Sequence, residues 1–370
     1  MRTVLAVAGA ALALFLTIAM FGGAGWTRPP MANVQTGFRG TGMDLIRTRV
    51  GNAELSAANV APTPADPAEP GGDKASAVYE NVQVLGDLSA EQFNRLMVSI
   101  TEWVAPQQGC TYCHSTENMA SDELYQKRVA RRMFQMTQHI NADWKENHVH
   151  EAGVTCYTCH RGNPVPANIW FDTPKPSAGK FIPRNNGQNL ASANVGLTSL
   201  PYAVFDDYYA RKDTPQSFVR VNATTVLPES KGKPIQDAER TFAIMITMSQ
   251  ALGVNCTFCH NTRSVAQWDT STPNRVAAWH AVQMVRDLNQ DYMTPLTTTF
   301  PGNRLGPTGD SPKISCATCH NGANKPLNGA HVIEPYPELA KPTTTASLPT
   351  GEAKDPIPGT DKPALKPFGK

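Results

Sequence analysis

Cys110-Thr-Tyr-Cys113-His114 and Cys156-Tyr-Thr-Cys159-His160 are two copies of one five-residue pattern, C-x-x-C-H. The pattern returns at Cys256-Thr-Phe-Cys259-His260 and Cys316-Ala-Thr-Cys319-His320, so four motifs use all eight cysteines of the chain. This spacing is the signature of c-type haem attachment. Two thiols add to the two vinyl groups of one porphyrin, and the adjacent imidazole reaches the iron from the face the peptide covers. Eight cysteines in an exported chain could also form four disulfides, and paired C-x-x-C units can hold zinc. Neither alternative accounts for a His after every second Cys.

Outward from the motifs, composition sets bounds. A chain of 370 residues suits two domains. With 41% hydrophobic and 17% charged residues and 30 prolines, it is low in charge for a soluble enzyme, and buried porphyrins would supply apolar core. A net charge of +2 without a basic, aromatic-interleaved stripe gives no argument for a nucleic-acid partner. In Val4–Phe21 the only polar side chain is Thr17, with Arg2 before it and Trp26 and Arg28 after. Residues 1–24 therefore read as an uncleaved membrane anchor, with Trp26 at the interface. The alternative is the apolar core of a signal peptide cut near Gly22-Gly23-Ala24. Either reading exports the rest of the chain.

The expected fold is mainly α with long irregular segments. Residues 25–84 read as an extended arm, whose Pro-rich Ala61–Gly72 is a surface linker. The first dihaem half spans 85–165. Ser89-x-x-Gln92 predicts a capping box, Phe93 to Val104 follow at helical spacing, and Pro106 closes the helix. A second helix is expected from Ser121, as cap, to Trp144. Residues 166–233 form a connecting segment, with strand-like pieces near Phe218–Val226. The second half, 234–330, carries a helix from about Asp237 to Leu252, stopped by Gly253, and another starting at Pro273 after Thr272. Arg128-Val-Ala is matched by Arg275-Val-Ala, and Leu96-Met97 by Ile244-Met245. These repeats predict two pseudo-symmetric halves, each with two helix–C-x-x-C-H units. Residues 331–370, with little to bury from Pro335 onward, read as a Pro-rich disordered or surface-draped tail.

Each iron needs a second axial ligand or stands open to small molecules. Methionine commonly serves in electron-transferring haems. Met97, thirteen residues before Cys110, and Met245, eleven before Cys256, lie on the preceding helices, with Met248 a rival to Met245. Met133 and Met136 are equal candidates for the second haem. For the fourth, Met284, Met293 and His280 are open, alongside the other non-motif histidines His139, His148, His150 and His331.

The motifs, the upstream Met helices and the segments Arg131-Arg132-Met133, Gly153–Gly162 and Asn255–Asn261 give the chain its resemblance to the tetrahaem cytochrome subunit of bacterial photosynthetic reaction centres, over roughly Gly37–Asn328. The resemblance implies four covalent haems, three Met/His and one bis-His. It pairs Met97 with His114, Met133 with His160, Met245 with His260, and His148, from the other half, with His320; His280 stays a rival there. It further implies a seat on the periplasmic face of the membrane, against core subunits carrying bacteriochlorophyll. Electrons would pass from a soluble cytochrome c or high-potential iron–sulfur protein to the photo-oxidised special pair. The haem of Cys256/Cys259 would lie nearest that pair, then the bis-His haem, the second and the first. Arg263 and Arg275 are candidates to pair with haem propionates. The expectation is an electron-transfer protein rather than an enzyme. The alternatives are a membrane-anchored quinol-oxidising cytochrome and a multihaem reductase of a small oxidant, which needs a five-coordinate iron.

Overall fold

The computed structural model describes residues 2–23, 30–35, 44–174, 203–210 and 235–340. Trp26, Phe218–Val226 and residues 341–370 lie outside them. The chain starts with α1 (Arg2–Ile18), which continues as a π turn through Ala19–Gly23. Over Arg2–Phe21 this run has 20 residues, a mean hydropathy of 2.5 and no buried side chain. At ~1.5 Å per residue it is long enough to cross the hydrocarbon core of a bilayer.

The arm is more structured than its composition suggests. Strand β1 (Met31–Gln35) pairs antiparallel with β2 (Asp44–Thr48), in the register Met31↔Thr48. The Thr48 side chain caps α2 (Arg49–Ala58) by accepting from the Gly51 amide. Residues 61–72, expected as a surface linker, lie at the surface and are tied to the fold at several points. Arg95 donates to the Ala65 and Asp66 carbonyls, the Ala65 amide donates to the Tyr336 hydroxyl, and Ser89 Oγ donates to Glu69 O at 2.9 Å. A short α3 (Ala75–Val78) follows.

Helix α4 (Ala90–Val104) has the expected capping box of Ser89 and Gln92, and buries Leu96, Ser99 and Trp103. Helix α5 (Tyr125–Asp143) is capped three residues later than the sequence suggested, at Leu124, which makes no side-chain cap hydrogen bond. Ser121 does not cap it, because its hydroxyl accepts from the Glu123 amide and Asp122 is drawn to Arg131 and Asn81. A π turn, Lys145–Val149, then carries His148 into α6 (Cys156–His160). In the second half lie α7 (Ile235–Leu252), ended by Gly253 at φ +62°, α8 (Pro273–Leu288) with Pro273 at its first turn, and α9 (Cys316–His320).

Two hydrophobic clusters hold these elements. One joins Met136 and Ile140 of α5 to Ile244 of α7, to Val282, Val285 and Leu288 of α8, and to Val204, Phe205, Tyr208 and Tyr209. Those last four come from the connecting segment, so residues 203–210 are core and not merely a link. The second cluster packs Leu85, Leu96, Trp103 and Phe134 around Tyr336 and Leu339. Residues 331–340 thus differ from the expected draped tail. Leu339 is fully buried, and Tyr336 meets Trp103 edge-on at 4.7 Å while Arg95 stacks on its ring at 4.2 Å. Helix α5 secures this segment, Asn141 donating to the Leu339 carbonyl at 2.9 Å.

Candidate functional site

Each C-x-x-C-H motif folds as a single tight turn. Motifs one and three use 3₁₀ turns, Cys110–Tyr112 and Cys256–Phe258. Motifs two and four use the short helices α6 and α9. Each of these is opened by a reciprocal cap, Thr155 with Thr158 and Ser315 with Thr318, and closed by a left-handed residue, Arg161 at φ 50° and Asn321 at φ 48°. In all four, Nδ1 of the histidine is tied to a backbone carbonyl. His114 uses Met119 O at 2.9 Å and His260 uses Val265 O at 3.0 Å, both five residues on. His160 uses Asn163 O and His320 uses Ala323 O, both at 2.9 Å and three residues on. With Nδ1 occupied, Nε2 is the nitrogen left to bind a metal. Burial lowers the pKa of His160, His260 and His320, which favours the neutral, ligating form.

Burial acts in the opposite direction on the thiols. Those of Cys113 and Cys259 are pushed up to about 11 and that of Cys156 to about 12. Without a bound group, burial holds these thiols neutral. Cys159 and Cys319 touch sulfur to sulfur across α6 and α9, their Cα atoms 4.5 Å apart, and the other six cysteines are free. Four disulfides are therefore not what this fold builds.

A cavity of about 750 Å³ fits a porphyrin-sized group, within the ~300–1,000 Å³ range of cofactor sites. It is lined by Met97, Cys110, Cys113 and His114 from the first motif and by Met133, Met136, Cys156, Cys159 and His160 from the second. Met136 is packed into the core, whereas Met133 is only partly buried. On α7, Met245 and Met248 are both partly buried against the same core, while Met284 and Met293 are buried within it.

The fourth motif meets a histidine from the other half. The rings of His148 and His320 meet edge-on, their planes at 61° and their centroids 6.1 Å apart. Two nitrogen–metal bonds of about 2 Å, with roughly 1 Å from each nitrogen to its ring centre, span the same ~6 Å. His148 Nδ1 is buried with no hydrogen-bond partner. Its pKa falls to about 4, through burial first and then the proximity of His320, while the Ala277 carbonyl opposes the shift and His150 and His280 add to it. His280 therefore lies in the same neighbourhood. His139 is committed elsewhere, to Asp143 at 2.6 Å.

Several contacts had no sequence signal. Arg161 donates to the carbonyls of Ala58, Thr158 and Cys319 and to Asn59, tying arm, second motif and fourth motif together. The buried Tyr209 hydroxyl lies 3.2 Å from Cys316 Sγ. Arg275 binds the 266–271 loop through the Gln267 carbonyl and Ser271 and stacks on Trp268 at 4.1 Å.

Comparison with known proteins agrees with this architecture. Residues 27–340 match the family model of the photosynthetic reaction centre cytochrome c subunit. The chain is 49% identical over 332 residues to the photosynthetic reaction center cytochrome c subunit of Rubrivivax gelatinosus, covering 89% of each chain. It is 44% identical over 325 residues to that of Thermochromatium tepidum, covering 88% of this chain and 79% of the relative. A more distant relative is cytochrome c-554 of Chloroflexus aurantiacus, at 26% identity over 290 residues, covering 67% of this chain and 69% of the relative. The match outruns the region marked by the motifs at its C-terminal end, taking in the packed residues around Tyr336 and Leu339. With thiols, anchored imidazoles and a porphyrin-sized cavity in place, the chain belongs to the photosynthetic reaction centre cytochrome c subunit family, whose members carry covalent c-type haem and transfer electrons in photosynthesis.

Proposed function

We propose that the chain carries four c-type haems and passes electrons from a soluble periplasmic donor, a small cytochrome c or a high-potential iron–sulfur protein, to the photo-oxidised bacteriochlorophyll special pair. When bound, each haem supplies a one-electron iron couple. The protein holds each by two thioethers and a motif histidine, with Met97, Met133, Met245 and His148 as the opposite ligands of the first, second, third and fourth. Met ligation raises a potential relative to bis-His, so the fourth would lie below an otherwise similar Met/His site.

The adjacency of the motifs carries this reading. Motifs one and two share a cavity. Motifs two and four pack α6 against α9, with Arg161 donating to the Cys319 carbonyl. Helix α7, which precedes motif three, packs on α9, with the Gly322 amide donating to Ala251 O at 2.8 Å. The resulting order, one–two–four–three, is the line the family resemblance implies, with the third motif at the special-pair end. Matching turn types and histidine acceptors, one with three and two with four, support two pseudo-symmetric halves. Anchoring by α1 and a seat on the periplasmic face follow from its exposed apolar surface and the export of c-type haem proteins.

Thioether formation at Cys159 and Cys319 excludes a disulfide between them, so haem stoichiometry tests the proposal directly. Intact complexes should co-purify with bacteriochlorophyll, hold four haem irons per chain, and oxidise haem after a flash. Two haems fewer, or elution free of pigment under mild extraction, would overturn it. Carbon monoxide binding by the resting protein would instead favour the small-oxidant reductase.

A further inference from the structure

The carbonyl oxygen of Met119 accepts two hydrogen bonds. One comes from Nδ1 of His114, at 2.9 Å; the other comes from Nζ of Lys127, also at 2.9 Å. Lys127 stands in the first turn of α5, its side chain only 11% exposed, and lines the cavity shared by the first two motifs. It donates as well to the Ser121 carbonyl at 3.0 Å and lies 3.5 Å from Asp122. Asp122 is paired with Arg131 at 2.8 Å, so this group of three keeps one net positive charge. A buried lysine is uncommon unless its ammonium is fully engaged. Here the engagement ends on the one oxygen that orients a motif histidine.

We propose that Lys127 is a positioning residue that raises the potential of the haem held at the first motif by drawing on the carbonyl that His114 uses. The inference rests on the assignment of His114 as an iron ligand. An acceptor pulling on Nδ1–H makes an imidazole more basic and favours the oxidised metal. An ammonium bound to that acceptor weakens the pull. Its positive charge, in a partly desolvated site, also favours the reduced iron. Both effects have the same sign.

The other half lacks an ammonium at this place. Where Arg128-Val-Ala aligns with Arg275-Val-Ala, Asn274 takes the position of Lys127, and its amide donates to the Phe258 carbonyl at 3.2 Å. Arg275 brings a guanidinium to that half, directed at the carbonyls of Ala266 and Gln267. Two motifs with the same turn and the same kind of ligand pair are thus given different electrostatic surroundings.

Equilibrium redox titration of the purified reaction-centre complex tests this with K127Q and K127R. In K127Q one midpoint should fall while the other three stay at their wild-type values. In K127R, which keeps a charged donor, that midpoint should remain close to wild type. Four unchanged midpoints in K127Q overturn the proposal. So does a common shift of all four, or an equal shift in K127R, since either would mark Lys127 as a packing element. If K127Q does not accumulate, K127M retains the aliphatic stem and is read in the same way. Failure of the ligand assignment itself is distinguishable, because the wild-type complex would then lack a haem on Cys110 and Cys113 by peptide mass.

Discussion

His148 comes to the fourth motif from the first half of the chain, with its ring edge-on to that of His320. Its centroid lies 6.1 Å from that of His320, and burial keeps it neutral. Replacement by Ala removes the imidazole proposed to share an iron with His320. H148A should therefore leave one high-spin, carbon monoxide-reactive iron among low-spin ones, whereas H280A should keep the resting spectrum. The reverse result would transfer the ligand role to His280. Asp122 offers a test of a different kind. Its carboxyl is held below the usual range, first by the hydrogen bond from Arg131, against a smaller burial effect of opposite sign. A depressed acid contributes stability above its unfolded pKa of about 3.9, and that contribution is lost as pH falls through the lower folded value. D122N should therefore be less stable than wild type near neutral pH, with the difference closing below about pH 4, as followed by denaturant midpoints at fixed haem content. A gap that persists in acid would mean that Asp122 acts through packing and not through its charge.

Helices that announce themselves locally were legible in the sequence, and segments held by distant contacts were not. The Ser89/Gln92 box and Pro273 need only neighbours three or four residues away, so their reading matches the structure. Ser121 had an equally good local pattern, but Arg131 and Asn81 compete for Asp122 and α5 starts later. Tyr336 and Leu339 sit among prolines without periodicity, and the surface they bury against comes from distant segments, α4, α5 and the stretch around Leu85. Segment 203–210 was missed for the same reason. The candidate haem-binding cysteines and histidines stand out in the sequence because covalent chemistry fixes their spacing, whereas Met133 and Met136, one turn apart, both line the same cavity. Two variants probe these element-scale contacts. S89A removes one cap and should cost about 1 kcal/mol. Gly153, at φ +60°, faces Ile333 so closely that an added Cβ would lie 2.5 Å from the Ile333 Cβ. G153A should therefore cost more than about 1 kcal/mol, and I333A should recover part of the loss in a double-mutant cycle. Additive effects would show that the C-terminal segment does not press on the second motif.

At the scale of the molecule, the haem motifs are walls of the core and not attachments to its surface. The cavity between the first two motifs has a volume of about 750 Å³ and is lined by α4, α5 and both C-x-x-C-H turns. A covalently held porphyrin would give these walls apolar surface to pack against, so porphyrin attachment and folding of the first half should be coupled, as metal binding and folding are coupled in small metalloproteins. A C110A/C113A chain, denied its first haem, should accumulate poorly, and proteolysis should begin within residues 85–165. The second half packs α7, α8 and residues 203–210 against Met136 and Ile140 of α5, and its haems, being covalently attached, should remain on the peptides of residues 235–340. An unchanged unfolding midpoint in that variant would show that the helices close over the cavity unaided. The haems would then be carried by a scaffold that stands without them.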